Sequence, residues 1–111
     1  MRRGFVRHID DFKNVGKGYL ISKDEAEVIE SNVVIVKMGE VTPVGCHADE
    51  EEYYFVYKGE GLVTLDGVEH RAKKGDFVFI PRNCEHFSKG LSDADYTYVC
   101  VAIYLERQPA L

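Results

Sequence analysis

The side chains able to do chemistry are few in this chain of 111 residues. They are the histidines His8, His47, His70 and His86, the cysteines Cys46, Cys84 and Cys100, and the acidic run Asp49-Glu50-Glu51-Glu52. A neutral imidazole ligates metals and works as a general acid or base near neutral pH. His47 stands five residues before Glu52, and His86 follows 34 residues after it. By spacing alone that set means little, and the acidic run reads as a solvated loop with a local pull on cations. Other chemistries are excluded more firmly. The chain has no Gly-x-Ser-x-Gly elbow, no phosphate-cradling glycine loop and no Gly-x-Gly-x-x-Gly. An odd number of cysteines without Cys-x-x-Cys spacing argues against a disulfide framework and for a reducing compartment, the cytoplasm. Cys100 lies in an apolar stretch and reads as a small buried hydrophobe. His70 lies in a charged one and reads as exposed.

The elements that must position these groups are strands. Val, Ile, Tyr and Phe make up 33 of the 111 residues, a composition that favours strands. Apolar or alternating runs at 32–38, 52–58, 62–65, 68–72, 77–80, 86–88 and 96–105 are separated by turn signals. Asp66-Gly67 predicts a tight hairpin turn, because such turns need positive φ. Residues 39–45 read as loop. Residues 23–30 fit two helical turns, with Ser22 as N-cap and Glu25 at capping-box spacing, almost as well as an irregular strand. Short strands with glycine-marked turns predict an all-β sandwich or small barrel.

Two segments resemble the paired motifs of the cupin superfamily. The first runs from Gly39 to Gly59, where Gly39, His47, Glu52 and Gly59 fall on the family's spacing. The second contains Gly75, Pro81 and His86, also on spacing. The resemblance implies a cupin-type double-stranded β-helix, a small β-barrel or jelly roll. Its N-terminal arm and first strands would span 1–32 and the barrel 33–111, as one domain overall. Gly45 stands where the first motif has its first histidine, and Asn83 where the second has a glycine. Asn83 is a mild change, since asparagine tolerates left-handed geometry.

The resemblance further implies a metal site. Cupins commonly ligate metal with both histidines of the first motif, its glutamate and the second-motif histidine. Here His47, Glu52 and His86 remain, a two-histidine, one-carboxylate set that leaves coordination positions open. The implied cofactor is a divalent transition metal: Fe, Mn, Ni or Zn. The implied function is a metal-dependent enzyme of small-molecule metabolism, of oxygenase, isomerase or lyase type. The alternative is a non-catalytic binder of a small ligand or metal with a degenerate site. Strand alternation puts Tyr54 on the face of Glu52, as a candidate catalytic residue able to hydrogen-bond a ligand or pass a proton. The same alternation turns Cys46 away from the face shared by residues 45 and 47. Replacing Gly45 by histidine is expected to restore a ligand and tighten metal binding.

Composition bounds the partners. A formal charge of −5 gives no footprint for nucleic acid, and there is no polybasic patch for lipid. The N-terminus lacks the apolar core of a signal peptide, and no apolar run approaches membrane-spanning length. The expected partner is a small-molecule ligand. A second copy of the chain is expected as well. If Glu52 and Tyr54 face inward, Tyr53, Phe55 and Tyr57 form an outward aromatic stripe that the arm covers only in part, and cupins are frequently dimers. A homodimer follows.

Overall fold

The computed structural model describes residues 3–12 and 18–105. Eight strands run β1 Tyr19–Ile21, β2 Ile29–Val36, β3 Glu50–Lys58, β4 Glu60–Leu65, β5 Val68–Lys73, β6 Phe77–Ile80, β7 His86–Gly90 and β8 Tyr96–Tyr104. They form a five-stranded sheet ordered β1-β2-β8-β3-β6 and a three-stranded sheet ordered β5-β4-β7. All the pairings are antiparallel. The result is the expected jelly roll.

Alternation explains the two-layer build. Along β3, Glu50, Glu52, Tyr54 and Val56 are buried, while Tyr53 and Tyr57 are exposed. The inner faces of both sheets meet in one core, with Val56, Val63, Ile80 and Tyr96 almost fully enclosed. The β4–β5 hairpin closes through Asp66 and Gly67, both at positive φ (48° and 82°), as the turn signal requires. Asn83 also adopts left-handed geometry, with φ 64°.

One segment differs from the sequence reading, and a second adds to it. Residues 23–28 make turns rather than a helix. The Ser22–Glu25 signal forms only as a local turn: Glu25 N–H bonds Ser22 C=O at 3.0 Å, and Ser22 N–H bonds Glu25 Oε1 at 3.0 Å. The Glu25 carboxylate also pairs with Arg7 through two bonds of 3.0 and 3.1 Å, so it ties down the N-terminal segment. The loop 39–45 lies outside the named strands, as expected, but isolated bridges at Val41 and Gly45 dock it along β7. Gly39 N–H bonds Gly90 C=O, Thr42 N–H bonds Ser88 C=O, and Gly45 N–H bonds His86 C=O, each at 2.9 Å. Pro43 carries no N–H to extend such a ladder. The Thr42 hydroxyl accepts from Ser88 N–H at 2.9 Å beside it.

Candidate metal centre

That docked segment is what assembles the site. Glu52 projects inward from β3, His86 opens β7, and His47 follows the segment held along β7. Gly45 and His86 exchange both backbone hydrogen bonds at 2.9 Å, and Asn83 N–H donates to His47 C=O at 2.7 Å. One ligand-capable atom from each of His47, Glu52 and His86 lies within 4.8 Å of the others. Glu52 Oε1 is 3.4 Å from His86 Nε2 and 3.6 Å from His47 Nε2. The imidazoles are tilted 51° at a centroid distance of 5.3 Å, so their nitrogens converge without stacking.

Each of the three is held from behind. His86 Nδ1 lies 2.9 Å from the Cys84 carbonyl. A carbonyl can only accept, so a hydrogen bond there puts a proton on Nδ1 and leaves Nε2 as the ring nitrogen directed at Glu52. His47 Nδ1 lies 3.2 Å from Glu50 Oε1. The Cys100 thiol donates to Glu52 Oε2 at 3.0 Å. The front oxygen of Glu52, Oε1, is buried and has no hydrogen-bond partner among the described residues. His47 is the least enclosed member, with its side chain 40% exposed against 8% for His86.

Burial raises the Glu50 carboxyl above the usual carboxylate range, and Glu52 adds to it. Burial pushes the Cys100 thiol far up, reinforced by Glu52. Burial does the same to the Tyr54 phenol, reinforced by Tyr98. Tyr54 stacks on Tyr98 with centroids 4.2 Å apart. Both line a cavity of about 420 Å³ that also reaches His47, Glu52, His86 and Asn32.

The donor set fits a metal ion. An orphaned buried carboxylate oxygen faces two imidazole nitrogens, and imidazole with carboxylate suits Fe, Mn, Ni and Zn. Gly45 keeps the space between them open. A β-carbon there would stand 2.9 Å from His86 Nε2 and 3.2 Å from His47 Nε2. A side chain at 45 crowds the two imidazole tips, which weighs against the tighter binding expected of Gly45→His.

The structure thus brings His47, Glu52 and His86 together and puts Tyr54 on the cavity wall. Cys46 is exposed, and His70 is exposed on β5. The acidic run is not wholly a solvated loop: Asp49 is exposed before β3, but the other three belong to the strand. Glu50 and Glu52 are each 8% exposed inside β3. Cys100 is more than a small hydrophobe, since its thiol bonds Glu52. Cys84 serves through its backbone carbonyl, while its buried thiol faces Glu85 C=O at 3.7 Å. Extending the alternation of β3 backwards by two residues from Glu52 reaches Glu50. Cys100 depends on its register opposite Tyr54 across β8, which one sequence does not display.

A jelly roll with a polar site between its sheets defines the class. A family model described as a cupin domain matches residues 32–102, and the chain belongs to the cupin family. An uncharacterized protein of Methanocaldococcus jannaschii is 32% identical over 87 residues, 78% of this chain and 63% of that protein. The chain therefore spans less than two thirds of that relative. An uncharacterized protein of Aquifex aeolicus is 32% identical over 95 residues, covering 78% of this chain and 77% of that protein. A dimethylsulfoniopropionate lyase of Ruegeria pomeroyi is 43% identical over 35 residues, 32% of this chain and 23% of its own length. Among solved structures, a cupin protein from Bacteroides fragilis superposes with a TM-score of 0.73 at 18% identity, covering 99% of this chain and 90% of that one. A predicted oxalate decarboxylase from Thermotoga maritima superposes with a TM-score of 0.68 at 23% identity, covering 78% and 77%. Among the described residues, no helix is long and apolar enough to cross a membrane.

Proposed function

We propose that this chain is a metal-dependent enzyme of small-molecule metabolism, of oxygenase, isomerase or lyase type, with a divalent Fe, Mn, Ni or Zn ion held by His47, Glu52 and His86. The observation that carries this reading is the environment of Glu52 Oε1. It is buried, unbonded and faced at 3.4 and 3.6 Å by two imidazole nitrogens. Converging lone pairs in a buried place repel one another, and a cation between them removes that cost. Such an ion supplies Lewis acidity and, with three protein ligands, keeps positions free for ligand or water. The cavity in front, about 420 Å³, is of small-molecule size. The Tyr54 phenol, kept protonated by burial, donates a hydrogen bond to that ligand rather than acting as a base. The R. pomeroyi protein, similar over 35 residues, is named a lyase, and the T. maritima structure is described as a predicted oxalate decarboxylase, which is in keeping with an enzyme reading. The three free thiols suit a reducing cytoplasm.

A non-catalytic binding protein is the second reading, and Gly45 in place of the first motif histidine is the observation that favours it. Elemental analysis of the purified protein tests the metal on which the enzyme reading depends. One transition ion per chain, lost in His86→Ala, supports the enzyme reading. A metal-free protein that also fails to take up added Co²⁺ contradicts it.

We also propose that a second copy covers the outer face of the five-stranded sheet. Ile9 and Phe12 of the N-terminal segment border the same hollow as Val33, Ile35 and Tyr57, so this segment shields one side only. Phe77 and Phe79 on β6, an end strand, remain 69% and 59% exposed, beside Tyr53 at 37% and Tyr57 at 44%. At roughly 200 Å² per aromatic side chain, these four leave about 400 Å² of apolar surface. That is the core of a standard dimer interface of about 800 Å² per partner.

A further inference from the structure

We propose that Glu50 is the positioning residue of the site: it fixes His47 in the Nδ1–H tautomer and so directs the Nε2 lone pair toward Glu52. This inference rests on the metal reading above and adds a residue to it.

The three ligand candidates are not held equally. Glu52 and His86 belong to strands and are buried. His47 belongs to neither of the named strands beside it, and its side chain is 40% exposed. Two freedoms must be removed for it to serve as a ligand: which ring nitrogen carries the proton, and where the ring points. Glu50 Oε1, 3.2 Å from His47 Nδ1, removes both. A carboxylate oxygen accepts from Nδ1–H, so the remaining nitrogen is the one 3.6 Å from Glu52 Oε1. His86 receives the same treatment from the Cys84 carbonyl. Both imidazoles therefore offer Nε2, although one is locked by backbone and the other by a side chain.

The placement of Glu50 makes little sense as surface decoration. Its side chain is 9% exposed, and it faces Glu52, Asp49 and Glu30 as well as His47. Burying a carboxyl among carboxyls is costly unless a donor meets it. His47 is that donor, and strand alternation makes the pairing possible because Glu50 and Glu52 rise on the same face of β3. A ligating histidine whose other nitrogen donates to a carboxylate is a recurrent arrangement in metal proteins, and losing the carboxylate typically lowers metal affinity about 10–100-fold.

The test compares Glu50→Ala and Glu50→Gln with the unaltered protein. The first readout is ¹⁵N chemical shifts of the His47 ring in metal-stripped protein at about pH 8, where imidazole is neutral. The second is a titration of the stripped protein with Co²⁺ alone. The unaltered protein should show His47 as the Nδ1–H form. Glu50→Ala should lose that preference and weaken Co²⁺ about 10–100-fold. Glu50→Gln, whose amide oxygen still accepts from Nδ1–H, should keep the tautomer and lose less affinity than the alanine variant. A merely structural role would not move the tautomer, and Glu50→Gln serves if Glu50→Ala does not fold. Unchanged His47 shifts in Glu50→Ala overturn the proposal, as does an Nε2–H tautomer in the unaltered protein. If the tautomer changes but neither protein binds Co²⁺, the positioning role stands and the metal reading fails.

Discussion

Strand β3 carries two different proteins on its two faces. The inner face, Glu50, Glu52, Tyr54 and Val56, is buried and includes a polar cluster meeting His47 and His86. The outer face, Tyr53, Phe55 and Tyr57, is aromatic and part-exposed, and it continues onto β6, where Phe77 lies 4.9 Å from the Phe55 ring. The usual distribution is broken at both faces: two carboxylates are buried beside Tyr54 and Val56, and aromatics lie outside. Each departure needs a cause beyond folding. Buried carboxylates need donors or a cation, and exposed aromatics need a partner. On the reading proposed above, the buried carboxylates answer to a cation and the exposed aromatics to a second copy of the chain.

The largest effect is expected on the outer face. Replacing Phe77 and Phe79 together by serine should weaken self-association at least about 100-fold, since four exposed aromatics form the proposed contact and two are removed. Light scattering at micromolar concentration should shift from about twice the chain mass to the 12.6 kDa of a single chain. A single-chain mass for the unaltered protein contradicts the dimer. Metal uptake should be unchanged by the double variant, because β6 presents these residues away from the site.

Neighbouring residues sharpen the contrast between the two faces. Val56 is fully buried, while Tyr57 is 44% exposed. Val56→Ala should cost about 2–3 kcal/mol in urea unfolding, by lost burial plus the cavity left behind. Tyr57→Ala, though a larger truncation, should cost less than about 1 kcal/mol in the single chain. Equal costs would mean that the outer face is as structural as the inner one.

A smaller effect is expected at Gly45. Gly45→Ala places a methyl 2.9 Å from His86 Nε2. Co²⁺ affinity should fall about 10-fold, or 1.4 kcal/mol, with the melting temperature little changed. Tighter binding would show that the tips open more freely than the geometry allows.

The smallest effect concerns the N-terminal segment that covers part of the outer face. Arg7 holds the Glu25 carboxyl down at about 2, chiefly through its hydrogen bonds, helped by the Ser22 N–H. A depressed carboxyl stabilises the folded form at pH above its unfolded value, about 4.5, and loses that contribution as pH falls toward 2. Amide protection factors in residues 3–12, taken relative to the intrinsic rate at each pH, should therefore fall between these limits while the core strands stay protected. No change across that window would mean that the Arg7–Glu25 pair does not hold the segment.

How much of this was legible in the sequence differs between the two faces. The outer stripe was visible from strand alternation alone, since Tyr53, Phe55 and Tyr57 differ only in parity from Glu52 and Tyr54. Its extension to Phe77 and Phe79 needed the β3–β6 register, which no single strand reveals. Inside, His47, Glu52, His86 and the cupin jelly roll itself follow from motif resemblance, while turn chemistry at Asp66-Gly67 and short apolar runs yield only an all-β sandwich or barrel. Glu50 was hidden by its neighbours, because four acids in a row look solvated wherever they lie. Cys100 was hidden by its apolar strand. Residues 39–45 are the loop they looked like, but Pro43 and two glycines hide their docking on β7 through a few bonds. In each case the missing information was a cross-strand partner, which is tertiary.

The central claim is that His47, Glu52 and His86 hold one cation. The most direct measurement is a Co²⁺ titration of the metal-stripped protein followed by absorption spectroscopy, repeated with Glu52→Gln. The account predicts saturation at one Co²⁺ per chain with imidazole-and-carboxylate coordination, and loss of most of that binding when the unbonded Oε1 becomes part of a neutral amide. Saturable binding that survives Glu52→Gln unchanged, or no Co²⁺ binding by the unaltered protein, would contradict it.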